Sequence, residues 1–219
     1  MERLRQLVES NGFRSTILFL IVLNAFAMGM EATPGAVDKY GTMLEWVFLV
    51  SQVVFVAEIA ARWLVARDQF FRDSWNTFDF VVVALSLTPA IGEFALIARI
   101  FRVLRLLRIV SVSEVLLGSL LRKDAGLRAA LLAIFLVGIS GYMFALAGFH
   151  LFGDDLPQWN SLAHSVATLA GSFTPSGFAV AINNGGAVLA FHIVFYLVVL
   201  STVVNLVVST TRTLRGAAS

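Results

Sequence analysis

The chain has 219 residues, 58% hydrophobic and 14% charged, with a mean hydropathy of +0.85, which is too apolar for a soluble globular domain. It contains no cysteine, which excludes disulfides, thiolate metal sites and a cysteine nucleophile. The formal net charge is +2 and the pI about 9.4, but the basic residues mark the ends of apolar runs instead of forming a patch, so no nucleic-acid partner is expected.

Residues 1–14 read as a short amphipathic lead-in, without the small-residue processing site of a cleavable leader. The first apolar run, 15–30, holds Asn24 and is closed by Glu31. A turn-rich loop over 32–41, with Thr33-Pro34-Gly35, leads to a second run at 43–65 that carries Glu45, Gln52, Glu58 and Arg62. The third run, 77–87, is short, begins beside Asp79 and stops before Pro89. A fourth segment, 93–110, carries Arg99, Arg102, Arg105 and Arg108. Residues 111–128 oppose Val112, Val115, Leu116 and Leu120 to Glu114, Arg122, Lys123 and Asp124, and read as an interfacial helix linking two halves. A fifth run, 129–152, is long enough, at about 20 residues or more, to cross the hydrocarbon. After a loop at 153–160, the apolar segment 161–173 is too short to span, and the last run covers 187–209. The expected fold is an all-α membrane protein of six transmembrane helices. Its domains are a lead-in (1–14), a four-span unit (15–110), the linker helix (111–128), a two-span unit with a re-entrant segment (129–212) and a tail (213–219). No internal repeat relates the halves, which counts against an inverted-repeat transporter.

The fourth segment is the unusual one. An arginine recurs at every third position, and each gap holds two bulky apolar residues. An arginine at the bilayer centre costs several kcal/mol, from about 2.5 to well above 10. Four of them therefore need protein counter-charges or a water-filled crevice. On an α-helix they span about 13 Å and wind slowly round the axis; on a 3₁₀ helix they fall in one row of about 18 Å. Either way a short slide or twist carries each guanidinium into the place of the next. One charge crossing the full field is worth about 2.3 kcal/mol per 100 mV, so three or four can drive a conformational change. The competing reading is a cationic helix lying on the membrane surface, which would keep a broad polar face that this segment lacks.

Orientation follows from the loops. With six spans Arg3, Arg5, Arg14, Arg62, Arg67, Arg72, Arg122, Lys123, Arg128, Arg212 and Arg215 fall on one side. The other side has Lys39 against Glu31, Asp38, Glu93, Asp154 and Asp155, so both termini are expected to be cytoplasmic. In the second span Phe55, Glu58 and Arg62 share a helix face by their spacing, with Glu45 and Gln52 further out. Glu58 and Asp79 are expected to form an inner acidic site, with Phe55 as a ring plug between inner and outer water. Asn24, Glu31 and Glu45 complete the expected polar partners of the arginines. The alternatives are a local Glu58–Arg62 pair, Asp79 as a headgroup-level boundary residue, and Phe55 as ordinary packing.

These pieces together resemble the bacterial voltage-gated sodium channel family, within the wider voltage-gated cation channel superfamily. The resemblance is carried by Ile21-Val22-Leu23-Asn24 and Met28-Gly29-Met30-Glu31, by Phe55, Glu58 and Arg62, and by Trp75-Asn76-Thr77-Phe78-Asp79-Phe80-Val81-Val82. The arginine ladder, Leu151-Phe152-Gly153 with Pro157 and Trp159, and Asn205-Leu206-Val207-Val208 complete it. It implies a four-helix voltage sensor joined to a two-helix pore domain with a re-entrant pore helix. It also implies a homotetramer in the plasma (inner) membrane among lipids, opened by depolarisation at the inner ends of the sixth spans. No cofactor and no metal belong to this picture, and no enzyme activity.

The departures matter as much. The family's filter usually reads Thr-Leu-Glu-Ser-Trp, and the matching positions here are Thr174, Pro175, Ser176, Gly177 and Phe178, so Ser176 replaces the glutamate. No Asp or Glu follows Asp155. Serines and backbone carbonyls supply only dipoles, aided by pore-helix carboxyl ends, so the expected permeant ions are monovalent cations with poor discrimination of Na⁺ from K⁺ and little Ca²⁺ block. The gate region, Asn205, Val208 and Thr211, includes Ser209 and Thr210 where the family keeps an aliphatic constriction, which suggests an easily opened gate. No coiled-coil heptads follow Arg215, so assembly is expected to rest on the pore domain. His150, His164 and His192 lack metal-ligand spacing; His164 alone is placed to give the outer pore pH sensitivity. The alternative to a conducting channel is a voltage-sensing membrane protein with a silent or leaky pore. A sensor-linked phosphatase is excluded by the lack of cysteine.

Overall fold

The computed structural model describes residues 2–87, 94–109 and 125–218. Its regular elements are helical, with no strand among the described residues. The α-helices are α1 (Glu2–Glu9), α2 (Asn11–Glu31), α3 (Ala36–Ala66), α4 (Ser74–Ser86), α5 (Phe94–Leu104), α6 (Ala125–Phe152), α7 (Leu162–Gly171), α8 (Pro175–Asn183) and α9 (Gly186–Ala218). Short 3₁₀ turns lie at Arg67–Arg72, Arg105–Leu107 and Pro157–Trp159. The chain divides into two compact units, Met1–Ile109 and Val110–Ser219.

Local chemistry sets the helix ends of the first unit. Ser10 caps α2 by accepting the Phe13 N–H at 3.2 Å, and Asp73 caps α4 by accepting the Trp75 N–H at 2.8 Å. Gly35 starts α3 at φ 72, a left-handed conformation that costs glycine little. Because α3 begins at Ala36, the connection from α2 is much shorter than the 32–41 loop expected from its turn residues. Four helical stretches are long and apolar enough to cross a membrane: Gly12–Glu31, Ala36–Arg72, Ala130–Phe152 and Gly186–Asn205. Helices α4 and α5 are shorter and hold Asp79 and the arginines, and they complete a four-helix bundle with α2 and α3. The bundle buries charged and polar groups among its apolar core residues and is apolar outside. Asn24, Ser51, Glu58, Asp79, Arg105 and Arg108 are buried, whereas Phe19, Phe26 and Trp46 are more than 60% exposed. In water that arrangement would be unfavourable, and in lipid it is the expected one.

The second unit is built on α6 packed against α9, with the shorter α7 and α8 between their ends. Trp159 is fully buried beside Ala145, Leu169 and Phe195. The benzo edge of its indole closes on Gly148, where an added Cβ would come within 2.0 Å of the ring. Helices α7 and α8 meet at a bend of 116°, the geometry of a broken span or a re-entrant segment and not of a straight span. Of the linker helix expected at 111–128, residues 111–124 lie outside the described residues, while 125–128 belong to α6. Helix α9 continues to Ala218, through the segment expected as a tail.

Candidate functional site

The arginine ladder changes helix type inside the ladder itself. Arg99 and Arg102 ride on α5, and the chain tightens to a 3₁₀ turn at Arg105–Leu107 before Arg108. This places Arg105 and Arg108 three residues apart in a segment where such residues eclipse. Arg99 is exposed and makes no ion pair among the described residues. Arg102 stands 4.0 Å from Glu31 and has its guanidinium 4.8 Å from the Phe48 ring. Arg105 is buried and donates to Gln52 Oε1 and Ser86 Oγ. Arg108 is also buried and donates to both carboxylate oxygens of Glu58 at 2.7 and 2.8 Å, with its Nε 3.0 Å from Asp79 Oδ1.

Phe55 lies between the last two rungs. It is wholly buried, with the Arg105 guanidinium 5.5 Å and the Arg108 guanidinium 5.3 Å from its ring centre. Both arginines thus gain a cation–π contact from one side chain. Arg62 closes the inner cluster, 2.6 Å from Glu58 and 3.2 Å from Asp79. Two carboxylates therefore meet two guanidinium groups, and the buried charges balance. An effective dielectric near 20 makes each such contact worth about 4 kcal/mol of attraction before desolvation, so an uncompensated member would be strongly unfavourable.

On the other side of Phe55 a cavity of about 390 Å³ reaches down to Arg105, lined also by Glu31, Glu45, Phe48, Gln52 and Arg102. Glu45 lines this cavity without forming an ion pair among the described residues. Asn24 is buried, but its Nδ2 donates to Leu20 O at 2.8 Å and it touches no arginine in a hydrogen bond or ion pair among the described residues. The structure thus brings Glu31, Phe55, Glu58 and Asp79 to the ladder, sets Glu45 at its mouth and leaves Asn24 to its own helix. Ser86 and Phe48 were not singled out from the sequence. Their signal was there: Ser86 lies seven residues after Asp79 and Phe48 seven before Phe55, each on the same helix face as the residue already named.

The sequence profile of the ion transport protein family matches residues 10–213, nearly the whole chain. The chain belongs to this family. Among its relatives, the mouse (Mus musculus) voltage-dependent T-type calcium channel subunit alpha-1H is 26% identical over 222 residues, covering 94% of this chain and 9% of that one. The mouse cation channel sperm-associated protein 2 is 38% identical over 90 residues, covering 37% and 15%. The human (Homo sapiens) sodium channel protein type 5 subunit alpha is 35% identical over 81 residues, covering 37% and 4%. The chain therefore spans a small part of the length of these relatives. The solved structure titled NaChBac in lipid nanodisc is 29% identical and covers 94% of this chain and 95% of its own, with a TM-score of 0.47. Membership in the ion transport protein family makes this a channel chain and not an enzyme.

In this channel chain the second unit carries the expected filter positions. Ser161 caps α7, accepting the His164 N–H at 3.2 Å, and α7 ends against Ser172. Thr174 caps α8, accepting the Gly177 N–H at 3.2 Å, and Pro175 occupies the first turn. Thr174, Pro175, Ser176, Gly177 and Phe178 thus form the start of a helix, not an extended row of carbonyls. Gly177 permits the bend: a Cβ there would lie 2.1 Å from the Gly171 oxygen. That oxygen accepts from the Thr174 N–H and hydroxyl at 2.9 and 2.6 Å, and the Ser172 carbonyl accepts from Tyr196 at 2.7 Å. Ser176 Oγ is exposed, 3.1 Å from Thr174 Oγ1. Asn205, Val208 and Thr211 are exposed along α9, with the Thr211 hydroxyl donating to its own helix at 2.9 Å. His164 Nδ1 pairs with Asn160 Oδ1 at 2.7 Å, and His192 Nδ1 with Val188 O at 2.8 Å. No cluster of three or more His, Asp or Glu suited to a metal occurs among the described residues.

Proposed function

We propose that this chain is the subunit of a homotetrameric voltage-gated cation channel, weakly selective among monovalent cations, seated in the plasma membrane with both termini cytoplasmic. The observation that carries the reading is the seating of successive arginines on separate partner sets either side of a buried phenylalanine. Arg105 rests on Gln52 and Ser86 and Arg108 on Glu58 and Asp79, with Phe55 between them. With the termini cytoplasmic, Glu31 and Glu45 mark the outer end of the ladder and Glu58 and Asp79 the inner end. Hyperpolarisation then draws the helix inward, and Arg105 passes Phe55 into the place that Arg108 vacates. Each step exchanges one set of counter-charges for another, so the barrier stays low while charge crosses the thin septum at Phe55. On this reading the ladder stands in its outward position, with Arg108 the one rung on the inner side of Phe55.

Several copies around one pore are assigned from the channel family, and the apolar face of α9, where Leu197 and Leu200 are about 60% exposed beside Phe173 and Phe178, suits contact with lipid as well as with a second subunit. Thr174 to Phe178 are assigned as the filter and Asn205, Val208 and Thr211 as the gate. Without a filter carboxylate the pore offers cations only dipoles, a weak field that separates Na⁺ from K⁺ poorly. Whole-cell currents with ion substitution test this: a voltage-dependent current reversing close to the same potential in Na⁺ and K⁺ is expected, and strong Na⁺ selectivity would refute it.

A second reading is a voltage sensor with a silent pore. The engagement of the Gly171 and Ser172 carbonyls by hydroxyl donors favours it. Single-channel recording from purified protein separates the two: discrete openings support conduction, and charge movement without openings supports the sensor.

A further inference from the structure

Tyr196 lies on α9, well away in sequence from the positions assigned to the filter, yet it meets the filter turn at successive points. Its hydroxyl donates to the Ser172 carbonyl at 2.7 Å, where α7 ends. Its ring stands edge-on to Phe173, with centres 5.4 Å apart, and tilted against Phe178 at 6.2 Å. Ser172 is buried and Phe173 and Phe178 are exposed, so one side chain spans the turn from its buried root to its exposed flanks. The rest of the turn is held from within. Ser172 Oγ donates to Leu169 O at 2.6 Å, and Thr174 donates to Gly171 and caps α8. Among the described residues, Tyr196 makes the hydrogen bond that ties this turn to the last spanning helix.

We propose that Tyr196 is a positioning and specificity-determining residue: its hydroxyl fixes the Ser172–Phe173 peptide, sets the opening of the filter, and transmits movement of α9 to it. The proposal rests on the filter assignment made above. The physical reason is direct. With no carboxylate in the turn, ion preference depends on where backbone and hydroxyl dipoles point, and a peptide plane held by one phenol is the part most easily re-aimed. A hydrogen-bond donor on α9 also makes the filter sensitive to the state of the gate, because the helix that opens at Val208 and Thr211 is the one that holds Ser172.

The test uses Tyr196→Phe in the full chain, which removes one oxygen and keeps the ring contacts with Phe173 and Phe178. Loss of one hydrogen bond loosens the turn by about threefold to tenfold. Hydrogen–deuterium exchange of the purified protein should accelerate by that factor in peptides covering 172–178 and stay unchanged in those covering 135–150. In bi-ionic recordings the Na⁺ to K⁺ permeability ratio should change by about threefold with little change in the voltage midpoint. Unchanged exchange in the turn overturns the positioning role. Faster exchange with an unchanged permeability ratio overturns the specificity role and leaves Tyr196 a structural tie. Absence of current from the wild-type chain would fail the channel reading, and the exchange measurement would still decide whether Tyr196 holds the turn.

Discussion

Arg105 and Arg108 lie three positions apart with the ring of Phe55 between them, and under the proposed function that spacing sets the step the ladder takes. In a 3₁₀ segment three residues rise about 6 Å, so a slide of that size brings Arg105 onto Glu58 and Asp79. Gln52 holds Arg105 in the position observed, and after one step it would meet Arg102, which arrives from the open outer cavity where water serves as an alternative partner, so Gln52 counts for less there. Gln52→Leu should therefore disfavour the outward position and shift the midpoint of charge movement to more depolarised potentials. A hydrogen bond to a charged group is worth about 1.5–3 kcal/mol. With about three charges crossing at about 2.3 kcal/mol per 100 mV each, the shift should be about 20–40 mV. Glu58→Gln tests the inner cluster differently. It leaves buried Arg108 short of its bidentate partner, a change that costs about 3–5 kcal/mol when a buried pair is broken, and the melting temperature should fall accordingly. Arg62→Gln should cost far less, because Arg62 is 28% exposed and water can replace it. Equal losses in the two variants would mean that Glu58 serves Arg62 and not the ladder.

At the scale of the element, periodicity carries most of the legible information. Phe55, Glu58 and Arg62 lie three and four apart, so their shared face is readable, and the every-third arginines announce a strip of charge whatever the helix type. The place where α gives way to 3₁₀ is not readable, because it depends on which rungs find partners on α3 and α4. Asn24 shows the opposite limit. A buried amide near charged helices reads as a counter-group, yet its nearest acceptor is a carbonyl of its own helix, and sequence spacing cannot weigh a local bond against a distant one. The close approaches in the second unit are likewise invisible in a one-dimensional pattern. Gly148 is small because the Trp159 indole covers it, and Gly177 because the Gly171 carbonyl does. Gly177→Ala forces that backbone contact apart and should destabilise the unit by about 1–3 kcal/mol, the usual cost of overpacking, read as a lower melting temperature. Gly148→Ala should displace the indole and red-shift its emission. An unshifted spectrum would mean that Trp159 does not rest on this glycine.

Across the whole molecule, two units with different chemistry are joined in one chain. The first stores charge inside an apolar exterior. The second bends a short helix pair back on itself and presents hydroxyls and helix ends where a carboxylate is expected. If Thr174 to Phe178 form the filter, Ser176→Glu restores a ring of charge, and the Na⁺ to K⁺ permeability ratio should rise severalfold with Ca²⁺ block appearing. An unchanged ratio would place the filter elsewhere. The central claim, that buried guanidinium groups are held where the membrane potential can pull on them, is tested most directly by total gating charge. Charge movement recorded from the full chain should amount to several elementary charges per subunit and fall by about one when Arg105 is replaced by Gln. A charge per subunit that stays the same after Arg105→Gln would contradict the account.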